Sequence, residues 1–367
     1  MPAFTGQLNA NEIFASLYNM VISQEVRADN IAGTFSSLVD KSRVDGGLYG
    51  DTKLYYSPDV LKSHEWLGDS EAANLLAIDR PDAPECQAIT LNVFRQIRIT
   101  VDNYLSKRAW IDEGAFSSFN GIMLGMIRNT KKVYDASTFN AYVGTAFASA
   151  AGATQVLTLT PTIPAATTAD EESASRIQAQ KIAQNLADLF IELKDINRDY
   201  NDYGQLKSYD MEDLIVVWSS QWVNVIRNID LPTIFHKGGL IQKFEQEVLP
   251  YKYFGAVNTS AGTAPSPNTG VRALIEKEYT VGGVTTHCFA GELLPAGASY
   301  SANETYSVDL KVICKVIHRK SVPFMSAFEV GTSFFNARSL TENHYLTWGH
   351  NTLEYLKSYP FITVKSA

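Results

Sequence analysis

The feature that most constrains this chain is a long, polar helical pattern between segments that read as β-structure. It runs from about Thr168 to Tyr200, where Ile182, Leu186, Leu189, Leu193, Ile196 and Tyr200 recur at alternating spacings of four and three. That is a narrow apolar seam, unlike the broad stripe of a helix sunk in a globular core. Lys181, Gln184, Asn185, Asp188, Asp195 and Asp199 occupy the other face. Thr168 and Glu171 have capping-box spacing, and Asp170, Glu171 and Glu172 place anions at the positive end of the helix dipole. Asn201 and Gly204 are stop signals. At 1.5 Å rise per residue the helix would span roughly 45 Å. A helix of that length touched on one side predicts a beam across a thin molecule, and thin molecules of that kind are parts of larger assemblies.

Composition narrows the function. The chain has 367 residues, 45% hydrophobic and 19% charged, enough for two or three folded units. Its net charge is −8, and it has no Lys/Arg run longer than two beyond the HRK at His318–Lys320. Sequence-specific nucleic-acid binding by a basic face is not expected. The apolar run Phe119–Ile127 is too short to span a bilayer. The opening residues lack the basic head and apolar centre of a signal peptide, which predicts a cytosolic site of synthesis and assembly. The three cysteines (Cys86, Cys288, Cys314) are scattered and read as buried small hydrophobes.

Along the chain, residues 11–26 read as an amphipathic helix with Ile13, Leu17 and Val21 on one face, and residues 40–50 as a Gly-rich loop. In Ile89–Leu105, Leu91, Val93, Ile97, Ile99 and Val101 oppose Asn92, Arg95, Arg98, Thr100 and Asp102, a strand with one dry and one wet face. Residues 45–100 together predict an extended β-arm. Residues 112–135 read as helix and 139–163 as β or extended. Asp213–Ser220 reads as a buried strand, followed by a helix capped by Ser219 or Ser220. Residues 258–270 read as a flexible Gly/Ser/Pro loop and Ser307–Lys320 as one strand. Val322–Ser339 and Asn343–Asn351 close the chain as an apolar, aromatic block.

A search for chemistry finds no GxSxG, GxGxxG, Walker A or HExxH motif. The six histidines (His64, His236, His287, His318, His344, His350) are dispersed. His287 beside Cys288 is the best local metal candidate, but one pair is not a site. The acidic clusters at Asp79–Glu85, Asp170–Glu172 and Asp210–Asp213 have plainer roles as arm surface, helix dipole and solvated turn. No catalytic residue, cofactor site or metal site is therefore assigned, and the chain is expected not to be an enzyme. An α+β enzyme or binding protein with an unrecognised site is the competing reading, which predicts a monomer or small oligomer with a concave pocket.

The order of these parts, with Gln87–Trp110 and Lys315–Ser339 as the most characteristic stretches, resembles the major capsid proteins of tailed bacteriophages, whose α+β fold is shared with herpesvirus shell floors and encapsulins. The resemblance implies an N-terminal arm (1–44), an E-loop (45–90), a P-domain (91–208 and 306–367) with a spine helix at about 168–200, and an A-domain (209–305). It implies self-assembly into hexamers and pentamers of an icosahedral or prolate head enclosing double-stranded DNA, in a virion. It also implies a portal protein, a separate scaffolding protein and, in some relatives, decoration proteins. An encapsulin-like compartment is the alternative on the same fold. Some relatives weld subunits by Lys–Asn isopeptide bonds. Lys53 and Lys62 lie in the presumptive E-loop, and Asn336 and Asn343 in the P-domain, with no local motif marking any of them as reactive. The resemblance further predicts that removing residues 1–26 abolishes assembly.

Overall fold

The computed structural model describes residues 37–47, 51–65, 78, 80–101, 113–146, 156–159, 170–227 and 245–366. The amphipathic segment 11–26, His236 and Thr168 lie outside the described residues. In chain order come a short helix α1 (Ser37–Lys41), strands β1 (Arg43–Gly47) and β2 (Thr52–Ser57), the long strand β3 (Glu85–Val101) and the long helix α2 (Glu113–Thr145). Then follow β4 (Val156–Leu159), helix α3 (Asp170–Lys194), β5 (Leu214–Ser219), helix α4 (Ser220–Arg227) and β6 (Glu245–Leu249). Seven short strands come next: β7 (Gly255–Val257), β8 (Gly262–Thr263), β9 (Val271–Ala273), β10 (Lys277–Val281), β11 (Val284–Cys288), β12 (Ser299–Tyr300) and β13 (Thr305–Val308). The chain closes with β14 (Val312–His318), β15 (Phe324–Asn336), β16 (Thr341–Asn351) and β17 (Phe361–Ser366).

Two five-stranded sheets organise the molecule. The core sheet has the order β4-β17-β14-β5-β6, with β4 parallel to β17 and β5 parallel to β6. β5 reads LIVVWS and is buried at every position, because helices cover both faces. Leu214, Val216 and Trp218 join Ile182, Leu186, Leu189 and Leu193 of α3 in one cluster. Ile215 and Val217, pointing the other way, join Phe139 and Val143 of α2 and Leu38 and Val39 of α1. The second sheet has the order β1-β15-β16-β3-β2 and carries the projecting parts. β3 pairs with β2 through residues 85–90 and with β16 through 91–101, so one 17-residue strand links the arm to the β15–β16 hairpin. The short strands β7 to β13 form a lobe whose core is Ala264, Ala273, Tyr279, Cys288, Leu294 and Ala298.

Several expectations are corrected. α3 ends at Lys194, not Tyr200, because the Asn197 amide donates to the carbonyls of Glu192 (2.6 Å) and Asp195 (2.9 Å) and turns the chain into a bridge with Lys207. Ile196 is consequently exposed, and Ala179, Ala183 and Phe190 widen the buried side beyond the expected seam. The longer helix is α2, with 33 residues against 25. It continues through 139–145, where β or extended structure was expected. Its last turns are buried between the core sheet and the lobe, and packing there overrides the modest helix propensity of Thr and Val. Thr145 Oγ1 returns a hydrogen bond to the Ala141 carbonyl (2.6 Å). Gly144 is required at this crossing, because a Cβ would overlap the Tyr253 carbonyl. Among the described residues of the expected extended stretch, Val156–Leu159 is a strand.

Residues 40–50 are not simply a loop, since Arg43–Gly47 pairs with β15 in parallel. Gly46 permits this because a Cβ would sit 2.7 Å from Leu91 Cδ1 and 2.8 Å from the Ser326 carbonyl oxygen. Residues 258–270 are held in place rather than loose. Asn268 donates to the carbonyls of Val271 (2.9 Å) and Leu294 (2.8 Å) and accepts from the Val271 amide (2.9 Å). Residues 307–320 form two strands in different sheets, broken where Asp309 Oδ1 accepts from the Lys311 amide (3.0 Å). Cys86 is exposed, since its partner across the strands, Tyr56, also faces outward, whereas Cys288 and Cys314 are buried.

Candidate functional site

The sequence offered no catalytic constellation, and the placement of its titratable residues explains why. His287 and Cys288 are neighbours on β11 and so point to opposite faces. His287 Nε2 lies 2.8 Å from Glu276 Oε1, while the Cys288 thiol is buried in the lobe core. Among the described residues, no three His, Cys, Asp or Glu side chains gather as metal ligands would. His318 and His350 are structural. His318 stacks on Tyr359 at 4.3 Å, accepts the Lys320 amide at Nδ1 (3.1 Å), and is pushed down to about 4 by burial. His350 Nε2 pairs with the Tyr134 hydroxyl (2.8 Å) under Phe324, and burial lowers its pKa too. His344 lies 3.9 Å from Glu342, and His64 is exposed on the arm. Asp170–Glu172 open α3, and Met211–Asp213 form a single 3-10 turn.

A buried polar joint holds α2 to the second sheet. Asp135 is almost fully buried and receives Arg43 (3.0 Å) and Lys131 (2.9 Å). Lys131 also reaches Glu329 (3.4 Å) and lies 5.9 Å above the Trp348 ring. With Phe139 and Val143 on the core sheet and Tyr134 on His350, α2 touches both sheets. At its far end Lys315, wholly buried in β14, donates to the Ala146 carbonyl and sits 5.1 Å over the Phe361 ring. Burial lowers its pKa well below the ordinary lysine value.

The unusual surfaces are two limbs of the second sheet. On the arm, Leu54 and Tyr56 face outward from β2, and Val60, Leu61 (77% exposed) and Ile78 stand in solvent. On the β15–β16 hairpin, every residue from Glu329 to Leu340 is exposed. Phe334 (71% exposed) and Phe335 (56% exposed) alternate along β15 and so project from opposite faces. Val330 and Leu340 add to the same surface. A sheet that displays aromatic rings on both faces has no core of its own there, and apolar display of this kind marks surfaces that meet another molecule. A groove of about 540 Å³ between α2 and the hairpin is lined by Ile127, Arg128, Glu329, Thr332, His344 and Leu346. Phe334 and Phe335 were legible only as part of an apolar block, because burial cannot be read from hydrophobicity alone.

The lysines and asparagines of the isopeptide expectation occupy different limbs. Lys53 donates to the Asp45 carbonyl and Lys62 pairs with Asp82 (3.4 Å) on the arm. Asn336 accepts the Arg338 amide (3.0 Å) and Asn343 accepts from Thr100 (2.6 Å) on the hairpin.

This fold, two sheets joined by a long helix with an arm and a hairpin left open, is the fold of phage capsid subunits. A chain of the Staphylococcus phage Andhra capsid structure superposes with a TM-score of 0.57 at 10% identity, covering 94% of this chain and 87% of that one. A chain in the structure of the head fibre and inner core protein gp22 of native bacteriophage P68 gives 0.57 at 10% identity, covering 88% and 83%. No curated protein matches the chain. The chain belongs to the Phi29-like phage major capsid protein family, which it matches over residues 3–363. It is a structural component of a virion shell and not an enzyme. Among the described residues no helix is long and apolar enough to cross a membrane.

Proposed function

We propose that copies of this chain associate through the arm and the β15–β16 hairpin into hexamers and pentamers, and that these close into an icosahedral or prolate head enclosing double-stranded DNA. The observation that carries this reading is the exposed apolar display of Leu61 and Ile78 on one limb and Phe334 and Phe335 on the other. Covering such surface stabilises an interface by about 25 cal/mol per Å² of apolar area. Two different limbs on one subunit favour head-to-tail contacts, which generate rings when the rotation closes. The net charge of −8 keeps the shell from adhering to packaged phosphates. A scaffolding protein, a portal protein and decoration proteins are the partners this role requires or admits.

Of the family's parts, we assign the N-terminal arm to 1–44 and the E-loop to 45–90. β5 and β6 share a sheet with β4, β14 and β17, which supports drawing the A-domain around that whole sheet rather than around 209–305 alone. The contacts of α2 with both sheets favour giving it the spine role in place of α3. Co-expression with a scaffolding protein, followed by electron microscopy and nuclease-protected DNA analysis, tests the proposal. Closed shells that protect DNA in infected cells are expected. A stable small oligomer under all conditions would overturn it.

A further inference from the structure

The root of the arm is held by polar groups that come from distant parts of the chain. Ser57, the last residue of β2, is buried, and its Oγ donates to Gln205 Oε1 (2.5 Å). Gln205 Nε2 donates back to the Ser57 carbonyl (2.7 Å), and Lys207 Nζ donates to Ser57 Oγ (2.6 Å). Two residues on, Asp59 Oδ2 accepts from Arg198 Nη1 (2.9 Å), while its Oδ1 accepts the backbone amides of Leu206 and Val60 (2.9 Å each). The Arg198 contact and these amides hold the Asp59 carboxyl down at about 2, so it stays charged at any pH near neutrality. Asn201 in turn braces Gln205 from both sides, accepting its amide and donating to its carbonyl (2.8 Å each). On the other strand of the arm, Gln87 Nε2 donates to the Tyr355 carbonyl (3.0 Å) and Gln87 Oε1 accepts the Lys357 amide (3.0 Å). The loop after α3 is tied to that same segment by Asp202 N to the Lys357 carbonyl (2.8 Å).

We propose that Ser57, Asp59 and Gln205 are positioning residues for shell assembly: they clasp the root of the β2–β3 arm to the loop after α3 and fix the direction in which the arm leaves the body. The proposal rests on the shell-forming reading above. A two-stranded ribbon standing alone bends freely, and loop-borne contacts made before a partner arrives lower the ordering cost of engaging it. The clasp lies beside the arm's small apolar footing of Ile89, Met325 and Leu356, flanked by Tyr55, and supplies the directional contacts that footing lacks.

The test uses the full, unassembled chain, as wild type, Asp59→Asn, Asp59→Glu and Gln205→Ala. Amide exchange is read over Thr52–Ser57 and Glu85–Thr90, thermal midpoints are recorded, and each chain is then assembled with scaffolding protein and imaged. Asp59→Asn and Gln205→Ala should raise arm exchange several-fold, leave the thermal midpoint of the body nearly unchanged, and give open or irregular shells. Asp59→Glu, which keeps the charge, should recover part of the regular closure. Unchanged arm exchange in both disrupting variants, or raised exchange with regular shells at wild-type yield, would overturn the clasp. Failure of the wild-type chain itself to form shells would sink the shell-forming reading, and the exchange comparison would still decide whether the clasp holds the arm.

Discussion

β14 and β15 are consecutive strands of similar apolar character with opposite fates. β14, VICKVIH, is buried at all seven positions, including its lysine and its histidine. β15 begins buried at Phe324 and Met325 and then runs fully exposed from Glu329 onward, with two phenylalanines in water. The first strand has helices on both faces of its sheet, while the second leaves the body with neither face covered. In a protein that acts alone such a strand would be an aggregation hazard. In the shell proposed above it is where the contacts between copies would be made. The core sheet should therefore govern stability, and the open hairpin should govern assembly.

The sharpest way to break that contrast is in the core. Phe361→Ala on β17 should cost about 3–5 kcal/mol, measured by urea unfolding of the unassembled chain, because the ring fills a fully buried site against Tyr355 and Lys315. A loss below 1 kcal/mol would mean that this sheet is not the stabilising centre.

Acid should weaken the body next. His318 is a base whose folded pKa, about 4, lies below the ordinary histidine value of 6.5, so the unfolded chain takes up its proton first. Its stabilising contribution is complete above about pH 6.5 and is lost as the pH falls from there towards 4, a total on the order of 3 kcal/mol. His350 acts in the same direction. Denaturation midpoints taken between pH 7 and 4 should fall, and His318→Gln should flatten the slope. A midpoint independent of pH over that range contradicts the buried, neutral assignment.

Gly46 probes the seam between the two regions. Gly46→Ala should cost about 1–3 kcal/mol, since the added methyl meets Leu91 and the Ser326 carbonyl where β1 enters the second sheet. Thermal melting reads it, and a neutral result would show that β1 can move away without loss.

The smallest effect on folding should come from the hairpin. Phe334→Ser with Phe335→Ser should change stability by no more than about 0.5 kcal/mol, because both rings are already in solvent. Particle yield by sedimentation should nevertheless collapse. Normal yield from this double variant would remove the hairpin from the assembly surface.

Much of this architecture was legible where a local period carried it. The alternation of β3, Arg95 excepted because it shares the face of Leu91 and Val93, and the continuous apolar run of β5 follow from side-chain spacing, and the helix expected after β5 is α4. The order of parts was enough to indicate a capsid subunit. What could not be read were features set by groups far apart in sequence. The Gly-rich stretch at 43–47 reads as a loop until Leu91 and Ser326 leave room only for glycine. The last turns of α2, residues 139–145, read as β or extended until two layers close around them. The clasp joins Ser57 to Gln205 across a separation of 148 residues, and no local pattern announces it.

By itself, then, the amino-acid sequence determined which segments alternate, which carry a helical face, and that no catalytic set is present in any recognised spacing. Those properties belong to neighbouring residues and survive in any context. Tertiary structure alone decided that α2 packs against both sheets, that Cys86 faces outward, and that Phe334 and Phe335 stand in water while Phe361 does not. Burial depends on what the rest of the chain places against a residue, and that is a property of the folded whole.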